Sequence, residues 1–377
     1  MNILFICNEY PPYPSGGIGI FTQELSIELR KSGHNVYIIG LYPVKNNTTE
    51  IVNDVKIIRI PKKKGISGII YNRVHLYNEL NKLIKKENIE ILETPDFNGL
   101  LAFFPSLNCK IITRLHGSVY YFRSLSKIRG LKGALWYLVE KSSINKSNKI
   151  ISVSDFTAEF TKKIFNLNSR IRTIHNGVCV NNSYTPKENF NKVKEFVFAG
   201  SLIKKKGIIE LVKAWIIFSS NNSNVQLSIY GKDIEKLSIK LHSLLDKANC
   251  STVKIHPPIS KSELQKIYLT VDYCIFPTKA EAFSLAPMEA MAMSRVVLYT
   301  NQTSSNELIL DGVNGIIIDS CCVDDIVNAL HRANELKISE YNYISKNAYN
   351  TVNTKFNVKD KNSENIKFYH EVLNDKD

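Results

Sequence analysis

Residues 273–293 read Tyr273-Cys-Ile-Phe-Pro-Thr-Lys-Ala-Glu281-Ala-Phe-Ser-Leu-Ala-Pro-Met-Glu289-Ala-Met-Ala-Met293. The apolar run at the start predicts a buried strand, and the run from Leu285 predicts a helix. Glu281 is then on the connecting loop, and Glu289 is about one turn into the helix. In α/β proteins such a loop, followed by a free helix N-terminus, holds anionic ligands. Carboxylates accept hydrogen bonds from sugar hydroxyls, so the pair favours sugar recognition, although two glutamates at this spacing also occur without a function.

The rest of the chain alternates between short apolar runs and helical segments. Such alternation predicts parallel sheets with helices on both faces. A polar stretch with a proline, residues 179–193, interrupts it and predicts a linker. We expect two doubly wound domains facing across a cleft, residues 1–180 and 194–360, and a tail of two or three helices over 339–373. The predicted strands are Ile3–Cys7, Val36–Ile39, Val55–Ile60, Glu90–Leu92, Lys110–Thr113, Ile150–Val153 and Arg170–Ile174, then Glu195–Ala199, Val225–Tyr230, Val253–His256, Tyr273–Phe276, Val296–Tyr299 and Gly315–Ile318.

The composition of the chain limits which binding partners and which cellular compartment are expected. The 377 residues carry a formal net charge of +14, which favours nucleic acid, an anionic membrane face or phosphorylated substrates. Nucleic acid is the least favoured of these, because no recognised nucleic-acid module appears. The seven cysteines form no Cys-x-x-Cys pair, which predicts reduced thiols in a cytoplasmic protein. The sequence has neither a basic leader nor an apolar segment of transmembrane length, so any membrane contact is expected to be peripheral.

Two motifs of the first half follow predicted strands. The glycines of Pro11-Pro-Tyr-Pro-Ser-Gly16-Gly17-Ile-Gly19 either let backbone N–H groups approach a phosphate or sugar, or form an ordinary loop. They do not make a dinucleotide fingerprint, because Thr22 stands where the third glycine belongs. His116 follows the strand at 110–113 and is expected to face the same cleft, although a lone histidine is more often structural.

A lysine run opens the second half. In Phe198-Ala-Gly-Ser201-Leu-Ile-Lys-Lys205-Lys206-Gly207, three lysines precede a predicted helix, which suits a diphosphate. Such runs are more often solvated. We expect one of the three to be functional and choose Lys206, next to Gly207.

A further stretch, Tyr120 to Tyr137, interleaves aromatic and cationic residues. It is compatible with a helix on an anionic membrane surface. It is equally compatible with a helical core face whose cations are solvated, and the sequence does not separate the two.

Taken together, these motifs and the segment His175-Asn-Gly-Val178 resemble the retaining glycosyltransferases of family 4, which have the GT-B fold of two Rossmann-like domains. The resemblance covers nearly the whole chain and is most specific around the acid pair. It implies that a nucleotide sugar, UDP- or GDP-linked, binds mainly to the second domain and the acceptor mainly to the first, without a metal or other cofactor. It also implies a last helix, from about 361 to 377, that crosses back to the first domain.

The resemblance assigns roles by motif. Glu281 contacts donor-sugar hydroxyls, Glu289 holds the ribose, and Lys206 neutralises the diphosphate as it leaves. His116 is placed near the transferred sugar, which makes Glu281, His116 and Lys206 the expected catalytic residues. The remaining donor-binding residues implied are Gly16, Gly17, Gly19, Ser201, Lys205, Glu307 and the backbone amides of Phe283, Ser284 and Leu285.

The chain departs from the family pattern at several of these positions. Ser201 stands where the family often has arginine, so Lys204 or Lys205 is expected to supply the missing charge. Ala282 and Ser284 replace glycines of the acid motif. Cys179 stands where aspartate commonly follows Asn-Gly-Val. Thr303-Ser-Ser-Asn-Glu307 replaces a glycine pair before the later glutamate.

The resulting hypothesis is retaining transfer of a hexose or similar sugar to a glycan or lipid-linked acceptor in cell-surface polysaccharide or lipopolysaccharide synthesis. The donor, the linkage and the oligomeric state do not follow from the sequence. Two alternatives stay open: a nucleotide-sugar epimerase of the same fold and a non-catalytic sugar-nucleotide binding protein.

Overall fold

The computed structural model describes residues 1–13, 16–128, 130–180 and 183–375. The chain divides into two compact units. Unit 1 comprises Met1–Asn176 together with Lys359–Asp377, and unit 2 comprises Gly177–Val358. Among the described helices, none combines the length and the apolar character needed to cross a bilayer.

Unit 1 is built on one eight-stranded sheet. Its strands are β1 (Asn2–Ile6), β2 (Asn35–Tyr42), β3 (Thr48–Val52), β4 (Val55–Pro61), β5 (Ile91–Pro95), β6 (Lys110–Leu115), β7 (Lys149–Ser152) and β8 (Ile171–Thr173). Their order across the sheet is β3-β4-β2-β1-β5-β6-β7-β8, and every pairing is parallel except β3 with β4. The predicted parallel α/β architecture is confirmed. The antiparallel edge strand β3 was not predicted, because all five of its residues are exposed and it lacks the apolar alternation that marks a strand.

The helices of unit 1 include one from each end of the chain. They are α1 (Gly17–Lys31), α2 (Ile66–Lys86), α3 (Val119–Leu125), α4 (Leu131–Ile144), α5 (Asp155–Phe165) and, from its second residue onward, α12 (Val358–Asn374). Phe368, Tyr369 and Val372 of α12 are buried in a core that also contains Ile3 and Leu25.

A buried polar cluster holds α12 to the sheet of unit 1. Arg114 donates from Nε to Glu93 Oε1 (2.6 Å) and from Nη2 to Asn365 Oδ1 (2.6 Å). The Tyr369 hydroxyl donates to Glu93 Oε2 at 2.7 Å. A buried ion pair such as Arg114–Glu93 is destabilising unless its remaining hydrogen bonds are made. Asn365 and Tyr369 of α12 supply two of these hydrogen bonds and so stabilise the pair.

Unit 2 repeats the design with six parallel strands. They are β9 (Lys194–Ala199), β10 (Val225–Tyr230), β11 (Val253–His256), β12 (Tyr273–Phe276), β13 (Val296–Thr300) and β14 (Ile316–Ile318), in the order β11-β10-β9-β12-β13-β14. The helices are α6 (Ile208–Ser220), α7 (Ser238–Lys247), α8 (Lys261–Thr270), α9 (Leu285–Ala292), α10 (Val323–Glu335) and α11 (Ile338–Lys355), with 3₁₀ turns at Lys204–Lys206 and Thr303–Glu307.

Strand order decides which loops of unit 2 meet. β9 pairs with β12 in parallel, through Tyr273 with Phe196 and Cys274 with Val197. The chain winds outward from this pair in both directions, which makes it the switch point where open α/β sheets bind ligands. The loops that follow β9 and β12 therefore lie side by side at the carboxyl edge of the sheet.

Candidate active site

The acid motif lies as its sequence predicts, on the loop from β12 into α9. Glu281 is in the loop and Glu289 is in α9. Phe283 is buried, and its ring lies 5.4 Å from that of Phe356. Ser284 is the N-cap residue in an extended conformation, and Leu285 begins the helix. The loop is therefore anchored by an apolar side chain, and the first amides of α9 follow directly after the acid.

The lysine run and Glu281 meet at the switch point. The Lys206 ammonium forms an ion pair with Glu281 Oε1. Burial raises the pKa of Glu281, but the charges of Lys206 and Lys205 outweigh burial, so the net pKa lies below its ordinary value. Burial lowers the pKa of Lys205, Glu281 opposes this effect, and Lys206 adds to it. Lys204, by contrast, is exposed. The three lysines are thus in three different environments.

Backbone contacts fix the lysine turn against the loop of the acid motif. The Lys279 N–H donates to Lys205 O at 2.8 Å. Gly207 follows the turn with a φ of 69°, and a Cβ there would lie 1.9 Å from Pro277 O. Only glycine allows this close approach of two backbones. The ends of β9 and β12 are therefore locked together by main-chain geometry.

Glu289 has a lysine partner that the sequence did not indicate. Lys261, the first residue of α8, lies 3.0 Å from Glu289 Oε1. The glutamate side chain is 15% exposed and the lysine 39% exposed, so the carboxylate is accessible while a cation orients it. This arrangement suits a group that accepts hydrogen bonds from hydroxyls.

The turn before Glu307 contacts the acid loop. The Glu281 N–H donates to Thr303 Oγ1 at 3.3 Å. Thr303 has a φ of 57°, a left-handed conformation that is unusual for a β-branched residue and natural for glycine. The backbone therefore keeps a glycine-type conformation where threonine stands, and the hydroxyl gives that threonine a contact that glycine lacks. Glu307 ends this turn.

The remaining predicted residue of unit 2 is Ser201. It is half-buried in the loop after β9, between Gly200, whose N–H donates to Tyr230 O at 2.9 Å, and Leu202, whose N–H donates to Lys232 O at 2.9 Å. The structure places Ser201 on the same loop as Lys205 and Lys206.

The glycine motif of unit 1 opens α1. Gly16 is the N-cap, and Gly17 and Gly19 lie in the first turn; Pro14 and Ser15 of the motif are outside the described residues. The Gly19 N–H donates to Glu9 Oε1 at 2.9 Å. Burial raises the pKa of Glu9 although the amides of Gly19 and Gly16 oppose it. Sequence reasoning missed Glu9, which lies between the end of β1 at Ile6 and the glycine loop.

His116 is held by a carboxyl group that sequence reasoning also missed. The backbone N–H of His116 donates to Asp96 Oδ1 at 2.8 Å, and the His116 ring packs edge-on to Phe21 with 5.0 Å between centroids. Burial, with a contribution from the Arg114 charge, lowers the pKa of His116 to about 3. Burial also raises the pKa of the fully buried Asp96 to about 8. The imidazole is therefore neutral over the working range of most enzymes.

In the stretch 120–137, the tyrosines and the leucines have different environments. Tyr120 and Tyr137 pack on each other (5.3 Å) and on Phe165 (5.4 and 5.6 Å). Leu131 and Leu135 face outward. The aromatic side chains thus contribute to the core, while leucines take the exposed positions.

Family models match the two units in turn. The model described as Glycosyltransferase Family 4 matches residues 15–182, and the model described as Glycosyl transferases group 1 matches residues 181–351. Among curated proteins, the chain is 25% identical over 325 residues to the capsular polysaccharide biosynthesis glycosyltransferase CapM of Staphylococcus aureus, covering 77% of this chain and 78% of CapM.

Solved structures share the fold. Sucrose-phosphate synthase from Thermosynechococcus elongatus matches with a TM-score of 0.84 at 16% identity, covering 99% of both chains. The Anabaena protein HepE, in complex with UDP and glucose, matches with a TM-score of 0.77 at 14% identity, covering 98% of this chain and 100% of HepE. Two consecutive family models, two Rossmann-like sheets and these neighbours lead to one conclusion: the chain belongs to the group 1 and family 4 glycosyltransferases of GT-B fold.

Proposed function

We propose that this glycosyltransferase moves a sugar from a nucleotide diphosphate sugar to a hydroxyl of a glycan or lipid-linked acceptor in cell-surface polysaccharide or lipopolysaccharide synthesis. The observation that carries the proposal is the cluster of Lys205, Lys206 and Glu281 at the switch point of unit 2. It places cations, a carboxylate and the N-terminus of α9 on adjoining loops. A diphosphate suits the cations and the amides, and a sugar suits the carboxylate.

Each residue has a role in this proposal. Lys206 stabilises negative charge on the departing diphosphate, which is work that a metal ion does in other enzymes, so we propose metal-independent transfer. Glu281 accepts hydrogen bonds from the sugar and orients Lys206. Glu289, oriented by Lys261, accepts hydrogen bonds from the ribose. His116 contributes a neutral imidazole to sugar contact, because its pKa lies far below neutrality.

Further donor contacts are proposed for residues of each unit taken by itself. In unit 2 we assign Ser201, Glu307 and the amides of Phe283, Ser284 and Leu285 to the donor. In unit 1 we assign Gly16, Gly17 and Gly19. We propose retention at the anomeric carbon, by departure and attack on the same face of the sugar within one ion pair.

The relatives support the substrate class. CapM is named for capsular polysaccharide biosynthesis, and HepE was solved with UDP and glucose. We therefore propose a UDP- or GDP-linked donor, and an acceptor that is part of a surface glycan. A lipid-linked acceptor implies peripheral contact with an anionic membrane, which is consistent with the net charge of +14.

Two measurements test the function. A thermal-shift screen of nucleotide diphosphates identifies the donor, because a ligand that binds only the folded state raises the unfolding temperature. The sugar nucleotide is then incubated with and without a glycan acceptor. Transfer only with acceptor supports the proposal, while isomerised donor without acceptor indicates an epimerase.

A variant separates catalysis from binding alone. Glu281→Ala is expected to abolish transfer while circular dichroism shows an intact fold. Unchanged turnover in this variant contradicts the role of Glu281. Nucleotide binding without transfer or isomerisation by the wild-type protein indicates a binding module.

A further inference from the structure

Exposed aliphatic and aromatic side chains of unit 1 are concentrated in three segments. The segments are the start of α2, the loop after β5 and the outer side of α4. We call the following residues the docking face: Ile69 (59% exposed), Ile70 (68%), Val74 (55%), Phe103 (69%), Leu131 (91%), Leu135 (62%) and Leu138 (59%). An apolar concentration of this kind on a protein surface marks an interaction site.

The three exposed leucines of α4 lie on one side of the helix. Leu131, Leu135 and Leu138 stand at positions i, i+4 and i+7 of α4 and share one side of the helix. The opposite side is used differently: Glu140 and Ser143 are buried there. The leucines thus form a stripe that no other part of unit 1 covers among the described residues.

Hydrogen bonds join the three segments into one surface. Arg73 of α2 donates from Nη1 to Gly99 O at 2.8 Å, in the loop after β5. That loop is held to α4 on its other side: the Phe103 N–H donates to Ser142 Oγ at 3.1 Å, and the Leu101 N–H donates to Ser143 Oγ at 3.1 Å. The start of α2, the loop and α4 are therefore neighbours.

The sequence around the docking face has a single sign of charge. Residues 55–78 and 97–139 contain no aspartate or glutamate. Lys62, Lys63 and Lys64 precede α2, and Lys127 and Lys132 flank the start of α4; all five are exposed. Exposed leucine and isoleucine beside lysines, without acids, match the combination of acyl chains and anionic headgroups at a bilayer surface. A protein partner, by contrast, is usually met by a surface richer in aromatic residues and arginine.

We propose that the docking face binds an anionic lipid bilayer, with its apolar side chains inserted among the acyl chains and its lysines at the headgroups. This proposal deepens the proposed function. It rests on that function in one respect: the purpose of the contact is to bring the enzyme to a lipid-linked acceptor held at the membrane surface. It also assigns the contact to aliphatic residues of α2 and α4 and to Phe103, whereas the sequence offered the mixed aromatic and cationic stretch 120–137 without deciding between a membrane surface and the core.

Vesicle co-sedimentation of the full chain tests the proposal. Wild-type protein is mixed with vesicles of phosphatidylglycerol and phosphatidylcholine, and with vesicles of phosphatidylcholine alone. We expect binding to the anionic vesicles, weakened as salt rises from about 0.05 M to about 0.5 M because screening shortens electrostatic reach. The variant Leu131→Gln/Leu135→Gln/Leu138→Gln is expected to lower the partition coefficient by at least about tenfold, since three apolar groups no longer leave water.

The matched control carries the same chemical change in unit 2. Ile217→Gln/Ile239→Gln/Leu269→Gln alters three exposed apolar residues of helices α6, α7 and α8. We expect it to bind vesicles as the wild type does. Equal losses in both triple variants would mean that general surface hydrophobicity is responsible, and the proposal would fail.

Further readouts make the result decisive. Should the α4 variant unfold, Ile69→Gln/Ile70→Gln/Val74→Gln tests the same face from α2 and is expected to lose binding similarly. The proposal is overturned if wild-type protein ignores anionic vesicles at low salt. It is also overturned if a folded docking-face variant binds them fully, or if the variant changes only the oligomeric mass seen by light scattering. Thermal shift with a nucleotide diphosphate is read in parallel; it reports on the donor site, so failure of the proposed function and failure of membrane docking are distinguishable.

Discussion

Replacing Lys206 with alanine tests the electrostatic core of the proposed mechanism. The ammonium is ion-paired with Glu281, and its side chain is 24% exposed, so it acts in a partly screened environment. Two unit charges 4 Å apart interact by about 4 kcal/mol at an effective dielectric constant of 20. Discounting that value for solvent leaves about 2–3 kcal/mol of transition-state stabilisation, which corresponds to a fall in kcat of about 30- to 150-fold.

The assay separates catalysis from folding and from donor binding. Initial rates are measured against donor concentration for Lys206→Ala and for the control Lys204→Ala. Lys204 belongs to the same 3₁₀ turn but is exposed, so its loss is expected to change kcat by less than about twofold. Lys205 remains beside Glu281 in both variants, and we expect both to fold. Because leaving-group charge develops in the transition state, kcat should fall more than KM rises in Lys206→Ala.

Two outcomes would refute this reasoning. A Lys206→Ala enzyme whose kcat stays within about threefold of wild type would show that its charge does not act on the leaving group. Equal losses in the Lys204 and Lys206 variants would show that the run contributes only a diffuse positive field.

Three further predictions concern the supports of the site. Tyr369→Phe removes the hydroxyl that donates to the buried Glu93, and we expect a loss of about 1.5–3 kcal/mol in urea unfolding, with Tyr343→Phe on the exposed surface as a neutral control. Gly207→Ala forces a Cβ onto the Pro277 carbonyl at positive φ and should cost about 2–4 kcal/mol, measured the same way. Asp96, with its pKa near 8, holds a proton that the unfolded chain releases above about pH 4, so it makes stability fall as pH rises from about 4 to 8; Asp96→Asn should reduce this fall, and an unchanged pH profile would contradict the assignment.

Most of the fold was predictable from the sequence because each buried strand has a local signal. Parallel strands buried on both faces are continuous apolar runs, and Tyr273–Phe276 or Val296–Thr300 is recognisable without any partner. The edge strand Thr48–Val52 is exposed and pairs with one neighbour, so its hydrogen bonds leave no apolar pattern. The sequence therefore predicts the strands that are buried and does not predict the exposed edge strand.

Candidate site residues were predictable where a motif stood at a strand end. The loops that carry Lys206 and Glu281 are 75 residues apart in sequence, and only the pairing of β9 with β12 brings them together. Glu9 and Asp96 were missed because their neighbours are backbone amides of Gly19 and His116, and a hydrogen bond to an amide leaves no trace in side-chain spacing.

The aromatic stretch shows a different limit. Its composition was compatible with a membrane helix and with a core helix, and the structure divides its residues between core and exposed positions. Tyr120 and Tyr137 pack with Phe165, while Leu131 and Leu135 are exposed. Helical position decides this partition, and the break between α3 and α4 shifts that position in a way the composition does not reveal.

The lysine run holds three lysines in three environments that the sequence did not distinguish. Lys204 is exposed and solvated, Lys205 is half-buried, and Lys206 is paired with Glu281. Removing a cation such as Lys205 even partly from water is unfavourable unless negative charge lies near, and Glu281 is one carboxylate shared between two ammonium groups. Lys205, Lys206 and Glu281 together carry one net positive charge on two adjoining loops, the second of which leads into the N-terminus of α9. That surplus favours an anion over a neutral ligand, and it is the electrostatic reason for assigning the diphosphate, rather than the sugar, to the lysine side of the cluster.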